Sequence, residues 1–197
     1  YETMISQKKI LVVEDNEINR MILREILSSR YKVLEAGNGL EALSVLKEYG
    51  EMVSLILLDI VMPVMDGYTF LSHIKADSSF SSIPVIVTTQ SDSESDEVAA
   101  LSHGAADFVA KPYKSQVILH RVASIIHLRE TAAMINLVQY DRLTGLYSKE
   151  FFYQRVRETL MQHTDREYDI ICSDIVNFKL INDIFGIPAG DHLLNEI

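Results

Sequence analysis

Four short apolar runs, each closing on a polar or charged group, restrict this chain to a parallel sheet with its chemistry gathered along one edge. The run ILVVEDN (residues 10–16) ends in Glu14 and Asp15, and LILLDIVMPVMDG (55–67) contains Asp59. The run PVIVTTQ (84–90) ends near Thr89, and DFVAKP (107–112) ends in Lys111 before a proline. Runs that are apolar throughout mark strands covered on both faces, and helical segments between them make the strands parallel. All such strand ends lie on one edge, where open α/β sheets bind ligands. Three carboxylates gathered there repel one another, and burial penalises each charge further. A divalent, oxygen-liganded cation removes the conflict, and Mg²⁺ suits one or two carboxylates plus phosphate oxygens. An aspartate, a cation and an amine are what phosphoryl transfer to a carboxylate requires, since that chemistry rests on positioning and charge neutralisation.

Periodicity fills in the remaining elements. Strands are predicted at Lys9–Val13, Lys32–Ala36, Leu55–Asp59, Pro84–Thr89 and Asp107–Ala110. Helices are predicted over about Glu17–Ser28, Leu40–Tyr49, Tyr68–Ala76 and Asp92–His103. Five β–α units give an α/β, doubly wound, flavodoxin-like layer structure. No proline or glycine occurs from Lys114 to Leu143, so one long helix is expected over about Ser115–Tyr140. Beyond it, Asp141–Tyr147 reads as a turn and Ser148 as the cap of a helix reaching about Gln162. Tyr168–Ser173 reads as a further strand, and Asn177–Phe185 and Ala189–Ile197 as helices.

Composition excludes several classes. The net charge of −10 over 197 residues lacks the basic footprint of a nucleic-acid binder, so no DNA partner is expected. The single cysteine, Cys172, cannot form an internal disulfide, which fits a reducing compartment. No apolar run approaches a bilayer span and no signal-peptide core opens the chain, so a cytoplasmic protein without a membrane partner is expected. The six histidines form no metal-ligand pattern. A flavodoxin-like binding protein for an anionic flavin is the remaining alternative, and the acidic edge disfavours it.

The acidic pair, Asp59, Thr89 and Lys111 at these spacings resemble a response-regulator receiver domain. That resemblance implies that Glu14, Asp15, Asp59 and the Val61 carbonyl hold Mg²⁺ and that Asp59 is the phosphoacceptor. It makes Thr89 the switch hydroxyl, Lys111 the phosphate-binding amine and Phe108 the switch aromatic. Thr88 competes for the hydroxyl role; Thr89 is preferred because it lies five residues after Pro84 and 22 before Lys111. A cis Lys111–Pro112 bond is also implied. The implied partners are a sensor histidine kinase or phosphotransfer protein.

DRLTGLY (141–147) and SDIVNFKLINDIFGIPAGD (173–191) resemble the start of a GGDEF domain, the diguanylate cyclase family, which converts two GTP into cyclic di-GMP. The resemblance places Asp174 and the Ile175 carbonyl on a catalytic divalent cation. It places Phe178 and Lys179 at the triphosphate, and Asn182 and Asp191 on the guanine edge, where an amide and a carboxylate suit mixed donors and acceptors. Val176 and Ile187 stand where the family often has an aspartate and a histidine, which leaves open a degenerate module that binds nucleotide or a partner and makes nothing. The sequence stops before the GGDEF hairpin, so no cyclisation of GTP is expected from it alone. The domain reading is a receiver at 7–128, a helical stalk at 129–140 and a truncated GGDEF-type segment at 141–197. The isolated strand Tyr168–Ser173 should be disordered, rearranged or paired with a second copy, since unpaired strand edges invite pairing. A homodimer is expected because two GTP-bound domains must meet.

Overall fold

The computed structural model describes residues 7–90 and 94–197. Five strands alternate with helices in its first part: β1 (Lys9–Val13), α1 (Glu17–Ser28), β2 (Lys32–Ala36), α2 (Gly39–Tyr49), β3 (Val53–Asp59), α3 (Gly67–Ala76), β4 (Val85–Thr89), α4 (Glu94–Ser102) and β5 (Asp107–Ala110). A single 3₁₀ turn, Gly50–Met52, joins α2 to β3. The strands form one parallel sheet in the order β2-β1-β3-β4-β5, the doubly wound arrangement expected from the apolar runs. The expected start of α4 at Asp92 lies outside the described residues, and the helix is seen from Glu94.

Strand parity sorts the core into two layers. Ile10, Val12, Leu55, Leu57, Ile86 and Val109 face Leu23 and Leu27 of α1 and Ile118, Val122 and Ile126 of the helix that follows β5. Their neighbours Leu11, Val13, Ile56, Leu58, Val85 and Val87 face the other way, against Leu46, Phe70, Leu71 and Ile74 of α2 and α3. Side chains alternate across a strand, so each apolar run supplies both layers.

Three of the helix starts that border the sheet's C-terminal edge, those of α1, α2 and α3, are individually capped. Asn16 accepts from Asn19 N, Asn38 from Leu40 N and Glu41 N, and Asp66 from Thr69 N. Each cap satisfies an otherwise orphaned amide and contributes about 1 kcal/mol. In the loop between β3 and α3, Val64 adopts a left-handed backbone with φ 70°, unusual for a branched residue.

The chain divides into two compact units, residues 1–129 and 130–197. The helix α5 (Ser115–Gln139) runs without a break, as the absence of proline and glycine implies. In the second unit Tyr140 and Tyr147 form an antiparallel bridge around the turn, whose amides at Leu143 and Thr144 donate to Asp141. Ser148 caps α6 (Lys149–Gln162), and its hydroxyl also reaches back to the Val138 carbonyl at 2.8 Å. The helices α7 (Phe178–Phe185) and α8 (Ile187–Glu196) follow, with α8 starting two residues earlier than expected around Pro188.

One element differs in kind from the sequence expectation. Tyr168–Ser173 is not a strand: it has no ladder partner among the described residues, and Ile171 is 92% exposed. A run of apolar residues is a local property, whereas a strand needs a neighbour for its amides and carbonyls.

Candidate functional site

Parity continues past the strand ends and builds the site. Glu14 follows Val12 on β1, Asp59 follows Leu57 on β3, and Lys111 follows Val109 beyond β5, so all three extend the layer that faces α1 and α5. The parallel registers bring the strand ends level, with Val13 beside Leu58 and Asp59 beside Thr88. The carboxylate oxygens of Glu14, Asp15 and Asp59 lie within 4.8 Å of one another. Glu14 and Asp59 are 1% and 3% exposed, whereas Asp15 is open to solvent. Such an all-oxygen, acidic donor set fits Mg²⁺.

Lys111 occupies the middle of the cluster. Its Nζ donates to Asp59 Oδ2 at 2.8 Å and lies 3.0 Å from Glu14 Oε2. The Tyr113 hydroxyl donates to the same Glu14 oxygen at 3.0 Å. Asp59 Oδ1 faces the Val61 amide at 3.4 Å, and Glu14 Oε1 faces the Asn16 amide at 3.2 Å.

These contacts push the two buried acids apart. Burial raises Asp59, the Glu14 charge adds to it, and Lys111 only partly offsets them, so its carboxyl sits above the ordinary aspartate value. Burial works the same way on Glu14, but the bonds from Lys111 and Tyr113 outweigh it and hold this carboxyl low. Burial disfavours the Lys111 ammonium, yet its bonds to Asp59 and Glu14 reverse the sign and raise it. Tyr113 is raised strongly, first by burial and then by the neighbouring carboxylates.

Thr88 and Thr89 fall on opposite faces. Thr88 shares the parity of Asp59; its buried hydroxyl faces Tyr113 without meeting hydrogen-bond geometry. Thr89 is also buried, and both threonines line a cavity of about 140 Å³ with Asp59, Val61, Tyr68 and Asp96. Phe108 is half-buried against the α2–α3 core layer, with the Arg121 guanidinium 5.5 Å from its ring. Arg121 is itself paired with Asp107. The Lys111–Pro112 peptide is cis, as the resemblance implies.

In the second unit, Phe178, Lys179 and Asn182 lie on α7 and Asp191 on α8. Gly190 sits so close to Asn182 that a Cβ there would collide with Asn182 Oδ1, and Phe178 closes the other side. This puts Asp191 next in chain to the residue touching Asn182. Asn182 Oδ1 is buried without a hydrogen-bond partner among the described residues. The Ile175 carbonyl accepts from the Phe178 amide at 3.3 Å. Asp174 is exposed ahead of α7 and shares no hydrogen bond with the others among the described residues.

Sequence reasoning passed over three residues that shape the first site: Tyr113, Arg20 and Gly67. Tyr113 follows Lys111 by two positions, a spacing that could have placed it on the same face. Arg20 and Gly67 act on backbone, and backbone contacts leave no trace in residue type.

A doubly wound sheet with a carboxylate cluster and a lysine at its C-terminal edge is the architecture of receiver-type signalling proteins. Residues 10–123 match the family model of the response regulator receiver domain, and the chain belongs to that family. Residues 138–197 match the model described as diguanylate cyclase, GGDEF domain. The chain is 34% identical over 122 residues to the response regulator PleD of Caulobacter vibrioides, covering 61% of this chain and 26% of that protein. A solved structure of a probable two-component system response regulator/GGDEF domain protein superposes with a TM-score of 0.59 at 27% identity, covering 63% of this chain and 51% of that one. The receiver domain of the sensor histidine kinase PA1611 from Pseudomonas aeruginosa, solved with magnesium in its active-site cleft, gives 0.57 at 28% identity, covering 62% and 99%. The chain spans 15% of the length of one curated relative, a sensor histidine kinase of Helicobacter pylori, and 26% of that of PleD. Among the described residues no helix is long and apolar enough to cross a membrane.

Proposed function

We propose that Asp59 accepts a phosphoryl group from a sensor histidine kinase or phosphotransfer protein, and that α5 relays the event to a GGDEF-type output in cyclic di-GMP signalling. The observation that carries this reading is the Asp59 carboxylate, held 2.8 Å from Lys111 Nζ and within 4.8 Å of the Glu14 and Asp15 oxygens. A carboxylate oxygen of Asp59 attacks phosphorus, the O–P bond forms, and the P–N bond to the donor imidazole breaks. Glu14, Asp15, Asp59 and the Val61 carbonyl are the candidate Mg²⁺ ligands, and the cation supplies charge neutralisation when bound. Lys111 pairs with the arriving phosphoryl oxygens. The Thr89 hydroxyl then hydrogen-bonds the new group, and Phe108 follows as the switch aromatic, an added charge biasing a two-state element.

The domain assignment proposed is a receiver at 7–128, a helical stalk at 129–140 and a GGDEF-type segment at 141–197. In the GGDEF-type output, Asp174 and the Ile175 carbonyl would hold a divalent cation. Phe178 and Lys179 would meet the GTP phosphates, with Asn182 and Asp191 on guanine. A cytoplasmic homodimer that binds no DNA fits this chemistry, since two GTP must meet. Val176, exposed and supplying no carboxylate beside Asp174, favours a second reading in which the output is a degenerate module that binds nucleotide or a partner and does not cyclise GTP. An assay for cyclic di-GMP formation from GTP separates the two.

Incubation with acetyl phosphate and Mg²⁺ tests the first reading. The expected result is a base-labile phosphoprotein, cleaved by hydroxylamine as an acyl phosphate is, that Asp59→Asn abolishes. Labelling that survives the substitution overturns the assignment.

A further inference from the structure

Lys111 is not the only cation beside the acid pair, and the second one is bound differently. Arg20, on α1, donates from Nη1 to the Glu14 carbonyl at 2.7 Å and, at the longer distance of 3.4 Å, to that of Asp15. Its Nε lies 3.6 Å from Glu35 Oε1, and Arg24 Nη1 reaches Glu35 Oε2 at 3.1 Å. Glu35 is on β2, in register with Val12 of β1. The chain of contacts therefore starts on β2, passes through a guanidinium on α1, and ends on the backbone of the loop that carries Glu14 and Asp15.

Resting on the phosphoacceptor reading above, we propose that Arg20 is a positioning residue for the cation site, held in place by Glu35. The physical distinction from Lys111 lies in which atoms are used. Lys111 takes carboxylate oxygens that a cation needs. Arg20 takes main-chain carbonyls, so it brings a permanent positive charge to the acid cluster and leaves the carboxylate oxygens of Glu14 and Asp15 available. A planar guanidinium with five donors can serve two carbonyls and Glu35 together; an ammonium on a flexible stem cannot hold the same fork. Without this hold, mutual repulsion of three carboxylates is free to splay the turn.

Titration calorimetry of Mg²⁺ into the full chain, with acetyl phosphate labelling in parallel, tests the proposal. R20M is expected to weaken Mg²⁺ binding about tenfold, the low end for outer-shell partners of metal sites. At saturating Mg²⁺ its labelling rate should return to that of the parent chain, because the defect lies in cation affinity. R20K should recover less than half of the lost affinity. Amide exchange at Asp15 and Asn16 should quicken in R20M. E35Q should weaken binding by less than R20M, and that loss should vanish in the R20M background, because Glu35 acts only through Arg20. An unchanged Mg²⁺ affinity in R20M, or strictly additive losses in the double variant, overturns the proposal. If R20M does not fold, E35Q decides, and an unaltered affinity there overturns it equally. Failure of the parent chain itself to bind Mg²⁺ or to be labelled refutes the phosphoacceptor reading instead.

Discussion

Asp59 and Glu14 are two acids a few ångströms apart whose protonation is driven in opposite directions, and stability should record the difference. The Asp59 carboxyl is raised, so the folded state holds its proton more tightly than the unfolded chain does. Its ionisation therefore costs stability as pH rises from the unfolded value through the folded one, and the cost is complete above it. Glu14 is lowered, so its contribution is present above the unfolded value and fades as pH falls through the folded one. Asp59→Asn removes the first effect and leaves Lys111 paired with Glu14. In metal-free buffer the variant should melt higher than the parent at pH 7, with the gain shrinking toward pH 4; a gain that grows on acidification contradicts this ordering. Lys111 adds a second expectation, because its ammonium occupies Asp59 Oδ2 and Glu14 Oε2. In Lys111→Met Asp59 Oδ2 is released while Glu14 Oε2 keeps its bond from Tyr113, and Mg²⁺ should bind more tightly, with calorimetry as the check, even though the amine for phosphate is gone. The carboxylates and the lysine were legible in the sequence because their types and spacing carry the chemistry. Tyr113 and Arg20 were not, since a tyrosine and an arginine look the same in a sequence whether they serve a site or a surface.

At the level of elements, alternation along the strands decides what reaches the edge. Leu55, Leu57 and Asp59 point to one layer while Ile56 and Leu58 point to the other, so a one-residue register slip in β3 would bury the acceptor away from Lys111. The loop after β3 is held by a close approach that residue type alone does not reveal. A Cβ on Gly67 would run into the Asp59 carbonyl and stand 2.7 Å from Ile60 Cα. Backbone cannot step aside as a side chain can. Gly67→Ala should therefore cost about 2 kcal/mol, within the range for overpacking, and weaken Mg²⁺ binding by shifting Asp59. Gly39→Ala is the milder case: there the nearest atoms to the Cβ belong to the Met65 side chain, Cγ and Sδ at 2.7 Å and Cβ at 3.0 Å, and a side chain can turn aside where backbone cannot, so the loss should be about 1 kcal/mol. Urea melts of the two variants, with and without Mg²⁺, separate the cases. The central strands β1, β3 and β4 were readable because burial on both faces makes them almost wholly apolar. Tyr168–Ser173 has the same apolar character and forms no strand, because pairing depends on a neighbour that its own residues do not specify.

Taken as a whole molecule, the chain carries its core in one of its two units. The first unit has complete apolar layers on both sheet faces. In the second, α6 and α7 contain no buried residue and α8 only Gly190. Helices in water owe most of their stability to a packed face rather than to propensity, so α6–α8 have little with which to resist opening. Cooperative unfolding should accordingly belong to the first unit alone. At about 0.7 kcal/mol per residue, calorimetry of the isolated chain should return an unfolding enthalpy of roughly 85 kcal/mol, against roughly 140 for all residues melting together. Saturating Mg²⁺ should raise the single transition by the usual mass-action term, since its proposed ligands lie in the melting unit. Amides of α6–α8 should exchange far faster than those of β1 and β3. An enthalpy near the larger figure would mean that the apolar residues exposed on the second unit, Ile170, Ile171 and Phe185 among them, have found cover. In that case the melting temperature should rise with protein concentration, as association through a second copy requires, and light scattering should give the mass of a dimer.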